Sequence, residues 1–432
     1  MRLFHLLPLT ITFAACTSQS DQPRVTAAEP EPIVRIETVE VCSNDLLAEG
    51  QQTFRFDTFG DEAFWGDQLH LHEALATVSP RTALAVGLKV DEEALPASLI
   101  AQLAAGEVDL DDPAVTAALL KIDAVVGVTG KFDNTGKLTS MGIQCAFCHS
   151  TVDDHLAPGI GKRRDGWPNR DLDVGKIISL APNLTPFTDL LGVDADTVKQ
   201  VLLSWGPGKF DAQLILDGKG FRPDGKSAAT LIPAAYGLAG VNQHTYTGWG
   251  SVPYWNAFVA VLEMHGQGNF DDARLDSDQF PVAKRAGFAH VRVTEDRVTP
   301  KLAGLHVYQL SLAAPKAPNP ADANAAARGE ALFGGAAKCG SCHMAPAFTD
   351  SGWNMHTADE IGIDDFQASR SPDKNLYRTT PLLGLHTRSK GGYYHDGRFA
   401  TLGDVVDHYD RHMSLGLTAE KKADLVAYLG TL

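Results

Sequence analysis

The sequence predicts a mainly α-helical fold: two domains with long loops. Three observations carry that expectation. A five-residue pattern, C-x-x-C-H, occurs twice, at Cys145–His149 and at Cys339–His343. Apolar residues recur at helical spacing around both copies, as in 82–88, 114–126 and 418–429. Between the copies, residues 313–320 hold three prolines, the composition of a linker.

The repeated pattern has a chemical reason. On a helical turn, positions i and i+3 share a face. Cys145 and Cys148 can therefore reach the two vinyl groups on one edge of a porphyrin, while His149 offers its imidazole to the iron. This is the attachment pattern of c-type haem. Cys339, Cys342 and His343 repeat it. A four-cysteine zinc site would need segments 194 residues apart to converge, and a redox dithiol has no use for the histidine twice. Two covalently attached haem c groups are the expected cofactors, with His149 and His343 on iron.

Taken in order, residues 1–16 read as a lipoprotein-type signal: Arg2, an apolar run, then Phe13-Ala14-Ala15-Cys16. Cys16 is the candidate lipid site, with simple cleavage as the alternative; either route exports the chain, to the periplasm. Residues 17–42 read as a flexible tether. Cys42 is left without a partner, and a buried inert thiol is expected. Residues 43–312 form the N-terminal haem domain with extensions, 313–322 the linker, and 323–432 the C-terminal domain. Helices are expected over 298–312, with Pro300 in the first turn, and over 323–333 behind Asp322; Thr418 caps the last one.

The net charge of −16 excludes a nucleic-acid partner, which requires a basic surface. It suits a small redox protein with a basic face as electron donor or acceptor. Haem propionates need cationic partners, and Arg163, Arg164 and Arg170, just past the first motif, are the candidates. The stretch 205–272 is dense in aromatic residues. Most of that density is expected as core, and one of Trp205, Trp249 and Trp255 is the candidate to lie between the haems and carry electrons.

The segments Arg378-Thr379-Thr380-Pro381-Leu382-Leu383 and Tyr394-His395-Asp396-Gly397-Arg398, continuing through Thr401-Leu402 to Val405-Val406, carry a resemblance. They are similar to the T-P-x-L and F-H-D-G segments of the bacterial di-haem cytochrome c peroxidase superfamily, which includes MauG and the rubber oxygenase RoxA. The resemblance implies two class I-like cytochrome c domains packed together. It implies peroxide or oxygen reacting at the N-terminal haem, a C-terminal haem relaying electrons, and Ca2+ as a further cofactor. It also marks Glu263, in Glu263-Met264, as general acid/base, and leaves the first iron open, with His244 or Met264 as alternative caps. At the second iron, Tyr409 falls where the family places its axial ligand; His408 and Met413 are the neighbouring candidates. The implied function is a peroxidase-like oxidoreductase. The alternatives are a non-catalytic electron-transfer cytochrome and a RoxA-like oxygenase acting on an apolar substrate.

Overall fold

A computed structural model describes residues 32–432 apart from 373 and 374, with side chains described from residue 44 on. The signal segment, Cys16, and the side chain of Cys42 lie outside the described residues. Of the expected tether 17–42, the part from Pro32 on is helical backbone, the start of α1 (Pro32–Phe56). Proline at a first helical position loses no hydrogen bond. No helix among the described residues is long and apolar enough to cross a membrane.

Helices dominate, and the strands form short two-stranded pairs. In the first half, β1 (Val128–Phe132) and β2 (Leu138–Ile143) make an antiparallel hairpin, Val128 opposite Ile143. It hands the chain to a single helical turn, α2 (Ala146–His149), which holds the first motif. The strand β3 (Ser150–Val152) then pairs with β4 (Arg163–Asp165). Next come α3 (Val174–Ser179) and α4 (Ala195–Trp205), whose N-terminus Asp194 caps by accepting from Thr197 N at 2.7 Å. Val198, Val201, Leu202 and Trp205 form the buried face of α4, the i, i+3, i+4, i+7 stripe. α5 (Val252–Phe258) runs straight into a π-helical turn, Val259–Glu263. α6 (Leu302–Ser311) follows a 3₁₀ turn, Thr299–Lys301, with Pro300 in the expected place.

The second half opens on α7 (Ala323–Gly334), capped by Asp322, which accepts from Asn324 N and Ala325 N at 2.9 Å each. α8 (Leu402–His412) starts with a reciprocal cap between Thr401 and Asp404. α9 (Ala419–Leu429) is capped by Thr418, as expected. α7 and α9 cross at Gly329, where a Cβ would lie 2.0 Å from Asp424 O, so only glycine allows the approach. Arg328 clamps the same crossing through two bonds to Asp424, 2.8 and 2.7 Å. The core beneath is Phe333, Val406, Leu425, Tyr428 and Leu429.

Residues 43–432 pack as one compact unit. Arg370 of the second half is fully buried between Asp211 and Asp217 of the first, 2.9 and 2.8 Å away. Tyr236 donates to Gly384 O at 2.8 Å, and Leu231 N to His395 O at 2.7 Å.

Candidate haem sites

At the first motif, the backbone N–H of Gln144 donates to Gly127 O at 3.0 Å, closing the hairpin onto α2. Gly127 is left-handed, and a Cβ there would strike the Phe147 backbone at 2.2 Å. Cys145 and Cys148 then lie one turn apart, unpaired with each other. Burial pushes both thiols up to about 12. His149 Nδ1 lies 3.2 Å from Pro233 O. A carbonyl only accepts, so Nδ1 carries the proton and Nε2 keeps its lone pair. Burial lowers the imidazole to about 4, so it is neutral at pH 7. A neutral, oriented imidazole is what an iron ligand requires.

The second motif repeats the device with other parts. Cys339–Ser341 is a 3₁₀ turn, and His343 N donates to Cys339 O at 2.9 Å. His343 Nδ1 gives its proton to Phe348 O at 2.9 Å, and burial lowers this imidazole to about 4 as well.

Each motif borders its own cavity, about 270 Å³ at the first and about 260 Å³ at the second. Both are mainly apolar. Pro233, Ala234, Leu238, Tyr246 and Arg378 line both cavities, so the two share one wall. The carbonyl that orients His149 belongs to that wall.

Glu263 lines the first cavity. The π-helical turn adds a residue to the last coil of this helix, and such turns concentrate at functional sites. Burial, then the nearby Asp211 carboxylate, holds the Glu263 carboxyl well above the usual carboxylate range. Its Oε1 is buried without a partner among the described residues. Trp255, His244 and Met264 also line this cavity; His244 Nε2 is tied to Val241 O at 2.9 Å.

Several expected residues lie elsewhere. Trp205 packs on Phe210 in the first core, and Trp249 packs among Trp255, Phe258 and Phe280; neither lines a cavity. No candidate tryptophan lies in the shared wall; its aromatic residue is Tyr246. Arg163 turns inward on β4 to Asp91, 2.9 Å away, and Arg164, its neighbour on the opposite face, pairs with Asp153 at 2.8 Å in solvent. Alternation along a strand separates the two, and neither reaches a cavity. Arg170 does, at the second cavity rather than beside the nearer motif. It stands by Tyr246, with Nε and Nη1 buried and unpartnered among the described residues. Arg378 Nε and Arg388 Nε share that condition, and sequence reasoning missed both as candidates. The signal was there: Arg378 opens the Arg-Thr-Thr-Pro segment.

At the second cavity, Tyr409 and Met413 line the wall, one turn apart at the end of α8. Burial holds the Tyr409 phenol up, and its hydroxyl meets Tyr394. His408 points away, with Nε2 on Ile361 O at 2.8 Å and its ring stacked on His412.

The residues fit the group the motifs imply. Paired thiols, a neutral histidine presenting one nitrogen, an apolar cavity and unpartnered buried guanidinium atoms are the needs of a haem with two anionic propionates. Both sites have the residues a covalently held haem requires.

No protein-family model matches the chain. It is 33% identical over 122 residues to the methylamine utilization protein MauG of Methylorubrum extorquens. That match covers 25% of this chain, and the chain spans 34% of that relative's length. A chain of hydrazine synthase from Kuenenia stuttgartiensis is similar at 17% identity and a TM-score of 0.27, over 51% of this chain and 86% of that one.

Proposed function

We propose that this chain is an exported di-haem oxidoreductase of the peroxidase type, reducing peroxide at the first cavity with electrons relayed from the second. One observation carries the reading. Two nearly equal cavities, each with its own oriented histidine, share a wall, and only the first is lined by the buried acid Glu263.

Cys145 and Cys148 would hold one haem, with His149 on its iron; Cys339, Cys342 and His343 would hold the other. Tyr409 or Met413, which line the second cavity, would hold the second haem from its other side, and Arg170, Arg378 and Arg388 would offer cations to the propionates. When bound, such groups supply one-electron chemistry and a place for peroxide to react. The rest is done by the chain. Burial favours the protonated form of Glu263, which can give its proton to the departing oxygen. The apolar lining excludes water, which strengthens that interaction. Tyr246 and Arg378 fill the space electrons must cross. The electron donor is a small redox protein with a basic face, matched to the net charge of −16, and Cys16 offers a lipid anchor to a membrane. Calcium takes oxygen ligands. The grouped side chains Cys342, Asp350 and His356 offer a single carboxylate beside a sulfur and a nitrogen, a mixed set rather than an oxygen cage.

The apolar rim of the first cavity favours a second reading, an oxygenase for an apolar substrate. Leu180 there is 48% exposed, beside half-buried Leu75, Val78 and Ile177. Turnover of a hydrocarbon with oxygen and no peroxide would select this alternative.

The main reading is tested by low-temperature EPR of the oxidised, haem-loaded protein. One high-spin and one low-spin signal are expected, with the high-spin signal lost on adding peroxide. Two low-spin signals indifferent to peroxide would make the chain an electron carrier instead.

The shared wall gives a further expectation. Arg378→Gln removes a positive charge beside both cavities, which favours the oxidised state at each. Redox titration should show both midpoint potentials lowered, on the order of 50 mV at an effective dielectric near 20. Arg388→Gln, lining only the second cavity, should lower one of them. Equal behaviour of the two variants would refute the shared wall.

A further inference from the structure

The second half of the chain reaches the first cavity through residues 364–371. Gln367, 3% exposed, lines that cavity with Glu263 and Gln213. Its Nε2 donates to Gln213 Oε1 at 3.1 Å, and its own Oε1 is buried with no partner among the described residues. Glu263 Oε1 is in the same state. Thr245 Oγ1, on the same lining, is unpartnered as well. An unpaired buried oxygen destabilises a fold by about 1–3 kcal/mol, so the Gln367 and Glu263 oxygens point to a ligand that satisfies both.

The segment carrying Gln367 is fixed on both sides. Tyr377, which lines the second cavity, donates its hydroxyl to Asp364 O at 2.8 Å and accepts from Ala368 N at 3.4 Å. These two bonds bracket Gln367. Three residues further on, Arg370 is held by Asp211 and Asp217.

We propose that Gln367 is a substrate-binding residue of the first cavity, its amide oxygen accepting a hydrogen bond from peroxide, and that Tyr377 is the positioning residue that sets it. The proposal rests on the peroxidase reading above. Hydrogen peroxide bears a hydrogen on each oxygen and lone pairs on both. It can give one hydrogen bond to Gln367 while its other oxygen accepts from Glu263. A diatomic gas such as nitric oxide has no hydrogen to give. The cavity thereby tells peroxide from a gas of similar size.

The test uses the oxidised, haem-loaded full chain and two probes. Gln367→Leu keeps the volume and removes the amide. It should slow capture of hydrogen peroxide about tenfold in stopped-flow absorbance, the effect of one lost hydrogen bond. Nitric oxide affinity, measured by optical titration, should stay within twofold. Tyr377→Phe keeps the ring and removes the hydroxyl. It should show the same selective loss, about threefold, with the optical spectrum of the second haem unchanged. Equal weakening of both probes would mean a structural role and overturn the proposal, as would unchanged peroxide capture in Gln367→Leu. Unaltered protein that binds nitric oxide but never captures peroxide would overturn the peroxidase reading as well.

Discussion

Glu263→Gln should lower peroxide turnover by about 10²-fold or more, the usual contribution of a placed general acid. The exchange is nearly isosteric, so haem content should not change. The pH profile gives the sharper sign. Burial, then the Asp211 carboxylate, raises the Glu263 carboxyl, so its acid form persists above the ordinary carboxylate range. Turnover should hold at low pH and fall as pH rises through that raised value, and the variant should lose this limb. Stability runs the same way. The folded state holds the proton more tightly than the unfolded chain, so the contribution of Glu263 is complete below the ordinary carboxylate range and fades as pH rises through the folded value. The matched measurement is steady-state turnover against pH for both proteins. Turnover within threefold of the unaltered chain would remove Glu263 from the mechanism.

Arg370→Met should be the most destabilising single change in the interior. It leaves Asp211 and Asp217 buried without their cation, and breaking a buried pair in this way costs about 3–5 kcal/mol. For a chain of this size the melting temperature should fall by roughly 4–6 °C. The deficit should shrink as pH falls, because stranded carboxylates that take up protons no longer bury a charge. Adding Asp217→Asn should restore part of the loss, since one of the two charges is then gone. Thermal melts of single and double variants at two pH values decide it. A single variant as stable as the parent would show that the clamp carries no net energy.

Much of this was legible in the sequence because the signals were local. The two C-x-x-C-H turns, the caps at Asp322 and Thr418, and Pro300 in the first turn before α6 are read within a few residues. Glu263 was reached through its neighbour Met264 and a resemblance, whereas the π-helical turn beneath it has no periodic signature. Arg170 follows the first motif by 21 residues, yet serves the second cavity. The chain from His149 is held by Gly166 N on His149 O at 2.8 Å and Ala235 N on Gly166 O at 2.8 Å, which leads it to the shared wall. No sequence pattern records that route. Aromatic density misled at Trp205 and Trp249 because ring clusters fill cores as readily as they border haems. Gln367 stands 218 residues from His149 and belongs to no motif; only tertiary structure brings it to the first cavity.

The buried arginine between the halves bears on how such a protein can change over generations. Haem-carrying units are often pictured as interchangeable beads on a string. Here the later unit cannot be exchanged for another without stranding two carboxylates in the earlier one. Recombination that swaps one half would be selected against unless the graft brought its own cation to the same place. The two halves are therefore expected to share one history, inherited as a pair and tuned together.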